Sequence, residues 1–408
     1  MKDKLYIAHF TNTYYPVMSG VVRSISTFRA AQEELGHFTA VFCQEAKKYV
    51  DEEPFVFRYP AINIPLRNYP VNVPSSPYVD WLMPSLPLDV IHTHHPAPMG
   101  EAASSQAKKL GIPLVFTHHT RYQEYVKTWG DSTGIAVDVV ERLIGDFMKK
   151  CHHIVVPSPS IKQMLAETYG VTDAVTVVPT GIDLTPYAEV TGASVRAAQK
   201  WGDDDIVLVS IGRLAAEKNF KTLIDAVAIN MKKHANLHFM LIGDGPDRSS
   251  LKKRCAKLGI ADRVYFTGRI PFEEVPNHMK AADLFAFASI TETQGLVTLE
   301  AMAADLPVVA VDATGTSDIV IDGDNGLLTA NDSEALAAGI DRLLSDKALA
   351  QKLRTGAKET AQEYETSHVA AQMIDVYRQA IEANKAGKYI QVDERKPIYK
   401  MMWKKLFD

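Results

Sequence analysis

The sequence predicts an α/β protein made of two doubly wound domains, each a parallel sheet with helices on both faces. Short apolar runs of strand length alternate with helix-length segments along the chain, which is typical of parallel sheets. The alternation occurs twice, on either side of a turn-rich segment at residues 180–201. A chain of 408 residues is long enough for two or three domains.

The first half contains six predicted strands and at least three predicted helices. The strands are Leu5–Phe10, Thr39–Cys43, Val90–His92, Leu114–Thr117, His153–Pro157 and Val175–Val178. The helices lie between several of them, at Gly20–Leu35, Met99–Leu110 and Ser160–Tyr169. Because parallel strands need a crossover connection, a helix between two strands favours parallel pairing.

The second half repeats this plan. Its predicted strands are Ile206–Ile211, His238–Ile242, Val264–Thr267, Leu284–Ala288 and Val308–Val311. Its predicted helices are Lys221–His234, Pro246–Leu258, Val275–Ala282, Leu296–Ala304 and Ser333–Leu344. We expect an N-terminal domain over residues 1–185, a second domain over residues 186–375, and a C-terminal segment over residues 376–408 that packs back on the N-terminal domain or lies on a membrane surface.

Composition excludes several functional classes. The net charge of −5 gives no reason to expect nucleic acid as a partner. Three widely spaced cysteines, Cys43, Cys151 and Cys255, fit neither a disulfide framework nor a zinc site, which indicates a reducing cytoplasm. We expect no signal peptide and no membrane span, since no apolar run approaches about 18 residues. Any contact with a membrane is therefore expected to be peripheral. Composition does not indicate the oligomeric state.

Residues 45–85 interrupt the regular pattern with seven prolines. Proline restricts the backbone and cannot donate a hydrogen bond. A long irregular segment in a compact domain is often functional or mobile. The alternative is a surface loop that wraps the edge of the sheet.

Three loops of the second half follow predicted strands and carry the residues of a polar ligand site. Arg213 and Lys218 are close enough in sequence for both cations to face one diphosphate. Gly243 lies in a Gly-Asp-Gly-Pro turn, where the backbone can approach a ligand closely. Glu292 and Glu300 lie eight residues apart, at a turn and on the helix that follows it. This arrangement fits a ligand with a sugar, a diphosphate and a nucleoside, because helix N-termini bind phosphate.

These motifs carry a family resemblance. Gly-Arg-Leu-(x)3-Lys-Asn, Gly-Asp-Gly-Pro and Glu-(x)7-Glu within residues 292–303 resemble the retaining nucleotide-sugar glycosyltransferases of family 4. The resemblance covers nearly the whole chain. It implies the GT-B fold, in which two Rossmann-like domains face each other across a cleft. It also implies a nucleotide sugar as substrate, with no cofactor and no metal.

The resemblance also implies a role for each donor-binding residue. Arg213 and Lys218 would hold the diphosphate as it leaves, Glu292 would meet the sugar hydroxyls, and Glu300 would bind the ribose. The remaining expected donor contacts are Gly20, Gly243, Ile270, Gln294, Gly295, Leu296 and Val297. The family more often has Phe at the position of Gln294.

In the first half, the resemblance places the acceptor site at two loops. Gly20 belongs to a Pro-(x)n-Gly loop after the first strand, and Asn12 stands where lipid-directed members usually have Asp. Within Thr117-His118-His119-Thr120, His119 would be the active-site histidine and His118 a structural residue, because adjacent side chains on a strand point to opposite sides. Tyr122 is a further expected acceptor contact.

The acceptor is expected to be a membrane lipid. Residues 89–96, 99–100 and 117–125 resemble the 1,2-diacylglycerol 3-glucosyltransferase branch, which implies UDP-glucose as donor and diacylglycerol at the inner face of the plasma membrane as acceptor. Residues 385–408 hold seven Lys or Arg against three Asp or Glu. The tail at 395–407 could lie in an anionic interface or pack on the fold. A soluble acceptor, such as a sugar phosphate or a small glycoside, is the alternative.

A metal-dependent hydrolase is a more distant alternative. His92 ends one predicted strand and is followed by His94 and His95, and the pairs His118-His119 and His152-His153 lie near other predicted strands. Imidazole suits several transition metals. The carboxylates expected beside such ligands are missing, however, and two doubly wound halves do not suit a single eight-fold barrel.

Overall fold

The computed structural model describes residues 4–46, 49–62, 71–122 and 135–393. The chain divides into two compact units. The first combines residues 1–181 with the chain from Thr366 onward, and the second spans Ile182–Glu365.

The first unit contains a seven-stranded parallel sheet in the order β3-β2-β1-β6-β7-β8-β9. Its strands are β1 (Tyr6–Phe10), β2 (Phe38–Gln44), β3 (Val56–Tyr59), β6 (Val90–Thr93), β7 (Leu114–Thr117), β8 (His153–Val156) and β9 (Val175–Val177). A short antiparallel pair, β4 (Ala61–Ile62) and β5 (Val71–Asn72), lies outside this sheet. The described helices of this unit are α1 (Gly20–Glu34), α2 (Pro77–Leu82), α3 (Met99–Leu110), α4 (Ile135–Met148), α5 (Pro159–Tyr169) and α14 (Thr366–Lys385).

The second unit contains a six-stranded parallel sheet in the order β12-β11-β10-β13-β14-β15. Its strands are β10 (Ile206–Ile211), β11 (Leu237–Ile242), β12 (Val264–Gly268), β13 (Leu284–Phe287), β14 (Val308–Val311) and β15 (Gly326–Thr329). Its helices are α6 (Thr185–Ala188), α7 (Ala193–Gln199), α8 (Phe220–Met231), α9 (Arg248–Lys257), α10 (Val275–Lys280), α11 (Leu296–Ala303), α12 (Ser333–Ser345) and α13 (Lys347–Glu363). Short 3-10 turns at Ala216–Lys218, Ala261–Arg263 and Phe272–Glu274 complete it.

The strand orders confirm two doubly wound, Rossmann-like domains. In each sheet the first strand lies between the second strand and a later one, so the direction of winding reverses there: at β1/β6 in the first unit and at β10/β13 in the second. Ligands of such sheets bind beyond the carboxyl ends of the strands at this reversal. The loops after these four strands are therefore the first places to look for a site.

The last helix belongs to the first unit, so the domain end expected at residue 375 falls inside α14. The reason is its apolar stripe. Val369, Met373 and Tyr377 are buried, and they belong to one core cluster with Ile7 and Val115 of the first sheet. This stripe has the helical period, but its partner strands, which include β8 through Val155, lie more than about 200 residues earlier in the chain.

Part of the proline-rich segment forms the edge of the first sheet. β3 pairs in parallel with β2, which agrees with a loop that wraps the sheet edge. The Arg58 guanidinium holds this edge by donating to the Asp51 carboxylate and to the carbonyls of Gln44 and Tyr15. Among the described residues, no helix is both long enough and apolar enough to cross a membrane.

Candidate active site

The loops after β10 and β13 meet at the winding reversal of the second sheet. Lys218 ends a short 3-10 turn after β10, and its ammonium donates to the carboxylate of Glu292 in the loop after β13. The two side chains are 23% and 16% exposed. A cation and a carboxylate that sequence reasoning assigned to one ligand are therefore direct partners.

The guanidinium of Arg213, the other predicted diphosphate ligand, has a different partner. It pairs with the Glu217 carboxylate four residues later in the same loop. The Arg213 side chain remains 55% exposed, more than twice the exposure of Lys218. An exposed ion pair contributes little stability in water, so the pair with Glu217 by itself would not prevent Arg213 from binding an anion.

Gly243 lies where two loops approach more closely than any side chain allows. Its φ is +132°, and a methyl group there would lie 2.0 Å from the carbonyl oxygen of Gly212. Its N–H donates to the Gly268 carbonyl over 3.1 Å, and the Leu214 N–H donates to the Asp244 carbonyl over 3.0 Å. These contacts join the loops after β10 and β11 to the last residue of β12, so the turn serves as structural support for the site.

The segment around Glu292 turns into α11 at a glycine. Gly295 caps the helix with φ +77°, a left-handed conformation that favours glycine. The first N–H groups of a helix lack intrahelical partners and attract anions. Leu296 and Val297, the first two helical residues, are partly buried, while Gln294 and Glu300 are buried.

Sequence reasoning missed the buried hydroxyls of Thr298 and Thr316 beside this helix start, and that of Ser289 after β13. The side-chain oxygens of Ser289, Thr298 and Thr316 are buried and have no hydrogen-bond partner within the described part of the chain. A methyl group on Gly295 would lie 3.6 Å from Thr298 Oγ1 and 3.5 Å from the Thr316 Cα. Buried hydroxyls normally have partners, so this group is suited to a polar ligand. The Thr-Gly-Thr run at 314–316, which begins three residues after the end of a predicted strand, was the available signal.

Ile270, the residue expected near the nucleotide base, follows β12. It is partly buried and packs against the core cluster of the second unit that contains Met240 and Ile242. Its position is compatible with an apolar platform at the strand end.

In the first unit, Asn12 joins the loops after β1 and β6. Its side-chain amide donates to the Ala97 carbonyl over 2.8 Å and its oxygen accepts from the Met99 N–H over 3.2 Å. Gly20 is the first residue of α1 and is exposed. It follows Ser19, whose side chain caps this helix. Asn12 and Gly20 thus follow β1, one of the two strands at the winding reversal of the first sheet.

His119 lies just after β7 and ends a chain of hydrogen-bonded side chains. Its Nε2 lies 2.9 Å from Nδ1 of His94, and His94 Nε2 lies 3.1 Å from Nδ1 of His9. His9 Nε2 in turn lies 3.1 Å from the side-chain oxygen of Gln32, and the Gln32 amide donates to the Tyr377 hydroxyl over 3.2 Å. These five residues come from three strand ends and two helices.

Burial keeps these imidazoles neutral. Desolvation lowers the pKa of His9 to about 4 and that of His119 to about 3, and it lowers the pKa of His94 well below its ordinary value of 6.5. At neutral pH each ring therefore carries one proton, with one donor nitrogen and one acceptor nitrogen.

His118 points away from this chain and into the core. Its ring is buried and contacts the edges of Phe116 and Tyr122, with centroids 5.8 and 5.7 Å apart. Both of its ring nitrogens lack hydrogen-bond partners within the described residues, and burial lowers its pKa to about 4. His118 therefore occupies the structural position predicted for it, while Tyr122, a predicted acceptor contact, packs against it.

The histidine cluster is built for hydrogen bonding within the protein. Ring nitrogens of His9, His92 and His94 lie within 4.8 Å of one another, close enough for a metal ion. Each of their six nitrogens already has a protein partner, however; those of His92 are the Tyr377 hydroxyl at 2.8 Å and the Thr117 hydroxyl at 2.6 Å. A metal would have to displace these bonds.

His152 and His153 make other contacts. Nδ1 of His152 accepts from the Leu114 N–H over 3.1 Å, and Nε2 of His153 lies 2.9 Å from the Thr176 hydroxyl. Both histidines therefore bond outside the group formed by His9, His92 and His94.

Two family models cover most of the chain. The model described as "Glycosyltransferase Family 4" matches residues 18–186, and "Glycosyl transferases group 1" matches residues 193–360. The α-monoglucosyldiacylglycerol synthase of Acholeplasma laidlawii is 31% identical over 394 residues, which is 93% of this chain and 98% of the relative. The D-inositol 3-phosphate glycosyltransferase of Nocardia farcinica is 31% identical over 309 residues, with 72% and 67% covered.

Solved structures agree on the fold. The Anabaena HepE structure in complex with UDP matches with a TM-score of 0.74 at 20% identity, covering 91% of this chain and 98% of that one. Sucrose-phosphate synthase from Thermosynechococcus elongatus matches with a TM-score of 0.70 at 22% identity, covering 93% and 100%.

The fold and the strand-end residues define a GT-B glycosyltransferase. The chain belongs to glycosyltransferase family 4, and its relatives include the α-monoglucosyldiacylglycerol synthases. The resemblance seen in the sequence is thereby confirmed, and the metal-dependent hydrolase alternative is wrong.

Proposed function

We propose that this protein transfers glucose from UDP-glucose to diacylglycerol at a membrane surface, with retention of the anomeric configuration. The observation that carries the proposal is the match to the A. laidlawii α-monoglucosyldiacylglycerol synthase, because it extends over 98% of that relative. Similarity across both halves supports a shared donor class and a shared acceptor class.

The donor is assigned to the second unit. Lys218 and Arg213 would neutralise the diphosphate, together with the helix start at Leu296. Glu292 would accept hydrogen bonds from sugar hydroxyls, and Glu300 would do the same for the ribose. The other proposed donor contacts of this unit are Gly243, Ile270, Gln294, Gly295 and Val297. Gly20, in the first unit, is the remaining proposed donor contact.

The proposed reaction is a front-face displacement. The leaving phosphate oxygen would take the proton of the acceptor hydroxyl as the glycosidic bond forms on the face that the phosphate leaves. Stabilisation of the growing negative charge by Lys218 and Arg213 would then dominate. The pairing of Glu292 with Lys218 supports this route, since an ion-paired carboxylate is a weak nucleophile. The proposal requires no cofactor and no metal ion.

The acceptor is assigned to the first unit. Gly20, His119 and Tyr122 would line its site, with His119 contacting a substrate hydroxyl. A lipid acceptor would require the protein to work peripherally, at the cytoplasmic face of the plasma membrane. The basic tail at residues 395–407 lies outside the described residues, and the proposal gives it a membrane contact.

A soluble acceptor is the second candidate. Its support is the similarity to the D-inositol 3-phosphate glycosyltransferases, at 31% identity over 72% of this chain. That match is shorter than the match to the lipid-directed relative, so we place it second.

A donor-by-acceptor screen with the purified full chain tests the proposal. UDP-glucose, UDP-galactose and GDP-mannose are each offered with diacylglycerol in phosphatidylglycerol or phosphatidylcholine vesicles, and with inositol phosphate without lipid. Mass spectrometry identifies the product, and the NMR coupling constant of its anomeric proton reports retention. We expect glucosyl-diacylglycerol, more of it on anionic vesicles, and undiminished turnover in EDTA.

Removal of residues 397–408 serves as the internal comparison for the membrane role. We expect the truncated chain to lose activity on anionic vesicles. Product formation on inositol phosphate alone would overturn the lipid assignment, and an inverted anomer would overturn retention.

A further inference from the structure

The chain of hydrogen bonds from Tyr377 to His119 has a fixed order of donors and acceptors. This order follows from the bond between the Gln32 amide and His9. The carbonyl oxygen of the Gln32 amide faces His9 Nε2 at 3.1 Å. A carbonyl oxygen can only accept, so His9 must carry its proton on Nε2. The amide nitrogen of Gln32 donates to the Tyr377 hydroxyl on the other side over 3.2 Å, so the amide bridges His9 and Tyr377.

The direction then passes along the rings. With its proton on Nε2, neutral His9 has an acceptor at Nδ1, so His94 must donate from Nε2 over 3.1 Å. His94 is then an acceptor at Nδ1, and His119 must donate from its Nε2 over 2.9 Å. Three successive rings thus hold the same tautomer, and the last of them leaves Nδ1 of His119 with a lone pair.

The Tyr377 hydroxyl strengthens this arrangement from the C-terminal helix. Burial raises its pKa, so the hydroxyl keeps its proton. It accepts from Gln32 and donates to Nδ1 of His92 over 2.8 Å, and His92 therefore donates from Nε2 to the Thr117 hydroxyl over 2.6 Å. Both branches are buried, where unmade hydrogen bonds cost most.

We propose that Tyr377, Gln32, His9 and His94 are positioning residues that hold His119 with its proton on Nε2, so that Nδ1 accepts a hydrogen bond from a substrate hydroxyl. The inference deepens the proposed function, on which its catalytic consequence rests. His119 acts as an acceptor and not as a donor or a general acid. It thereby selects a ligand that places a hydroxyl proton at this point.

The tautomer is read directly by NMR. In the full chain labelled with ¹⁵N-histidine, two-bond ¹H–¹⁵N correlations separate protonated from unprotonated ring nitrogens, and His119→Gln identifies the signals of His119. We expect Nδ1 of His119 to be unprotonated and Nε2 to be protonated in the parent protein.

Two breaks and one repair test the chain. His94→Leu removes the acceptor for His119, and Gln32→Met removes the anchor at the far end; in both we expect the His119 signals to move toward a mixture of tautomers. His94→Asn restores the parent pattern, because its side-chain oxygen replaces the accepting Nδ1. Should Gln32→Met not fold, Tyr377→Phe breaks the same end while keeping the ring.

Kinetics separate positioning from general damage. We expect kcat to fall about tenfold in His94→Leu with the donor KM within about threefold, since a tenfold rate change corresponds to about 1.4 kcal/mol, the size of one neutral hydrogen bond. His94→Asn should recover kcat to within about threefold. Thr176→Val is the matched control, because it removes the hydroxyl partner of His153, outside this chain.

A proton on Nδ1 of His119 in the parent protein overturns the proposal, as do unchanged His119 signals in both His94→Leu and Gln32→Met. The spectra do not depend on turnover. If glucose transfer to diacylglycerol fails but the tautomer pattern is observed, the proposed function is wrong and the positioning of His119 is supported. If transfer occurs but the tautomer pattern is not observed, the proposed function is supported and the positioning of His119 is wrong.

Discussion

Lys218 donates to the carboxylate of Glu292, 74 residues away in the sequence, where the strands β10 and β13 end. Both side chains are mostly buried. Each side chain therefore stabilises the buried charge of the other, because removal of one partner leaves a desolvated charge without an ion-pair partner. An incoming diphosphate would share Lys218 with Glu292, which gives the pair a role in both stability and ligand binding.

Replacing Lys218 with Met should lower turnover about 100-fold, the usual size of the loss when one charge-stabilising group is removed. The matched control is Lys233→Met, which breaks an exposed pair with Asp341 elsewhere in the second unit. Steady-state kinetics and thermal unfolding of both variants provide the measurement. If the folded Lys218→Met variant turns over at nearly the parent rate, Lys218 does not stabilise the diphosphate.

Glu300→Gln should act mainly on donor binding. The carboxylate lies on α11 and is buried, and its proposed partner is the ribose, which does not react. Losing a charged acceptor of this kind costs about 1.5–3 kcal/mol, so the donor KM should rise at least tenfold with kcat within about threefold. Glu359→Gln, at an exposed position of α13, is the control. A donor KM equal to the parent value contradicts the ribose contact.

Gly243→Ala should destabilise the second unit by about 2 kcal/mol or more, because the added methyl group meets the Gly212 carbonyl oxygen at 2.0 Å and φ is +132°. Gly202→Ala is the comparison, since the nearest atom to its methyl group lies at 3.8 Å. Urea unfolding measures both, and equal stability of the two variants would show that the loops can separate freely.

Acid should destabilise the first unit below about pH 6.5. Burial lowers the pKa of His9 and His153 to about 4, as it does for His118, so the folded state binds fewer protons than the unfolded state between pH 4 and 6.5. Stability therefore rises with pH in this window and is complete above it. Urea midpoints between pH 5 and pH 7.5 should show the decrease.

His118→Phe tests the cause of this decrease. Neither buried ring nitrogen of His118 has a hydrogen-bond partner among the described residues. The apolar ring of Phe should therefore raise the free energy of unfolding by about 1 kcal/mol at pH 7.5. At pH 5, which is 1.5 pH units below the ordinary histidine pKa, the substitution should also remove roughly 2 kcal/mol of the decrease in unfolding free energy that acid causes. An unchanged pH dependence would assign the acid loss to other groups.

Most regular elements could be predicted because their signals are local. The strand periods and caps placed β7, β10, β14 and α3 at their observed bounds. Two edge strands, β3 and β15, escaped prediction. β3 has a run of only four residues in a proline-rich segment, and β15 opens with a glycine, so neither produces a strong local pattern.

The candidate site likewise has some features that local sequence motifs predicted and others that they did not. The motif around Arg213, Lys218 and Glu292 indicated a diphosphate ligand, but not that Lys218 and Glu292 pair. The hydroxyls of Thr298 and Thr316 and the histidine chain also escaped sequence reasoning. These groupings depend on which strand ends become neighbours, and strand order is a long-range property.

By itself, the sequence determined the fold class, the two-domain plan and the family, because hydrophobic periodicity and short motifs are encoded by neighbouring residues. The sequence left packing on the first domain as one of two alternatives for the C-terminal segment, and the tertiary structure decided that the whole of α14, from Thr366, completes the first unit. Only the tertiary structure showed that Tyr377, Gln32, His9 and His94 form one chain of hydrogen bonds ending at His119. Hydrogen bonds have direction, and Tyr377 lies 345 residues from Gln32. Such a contact exists only once the sheet has brought distant segments together.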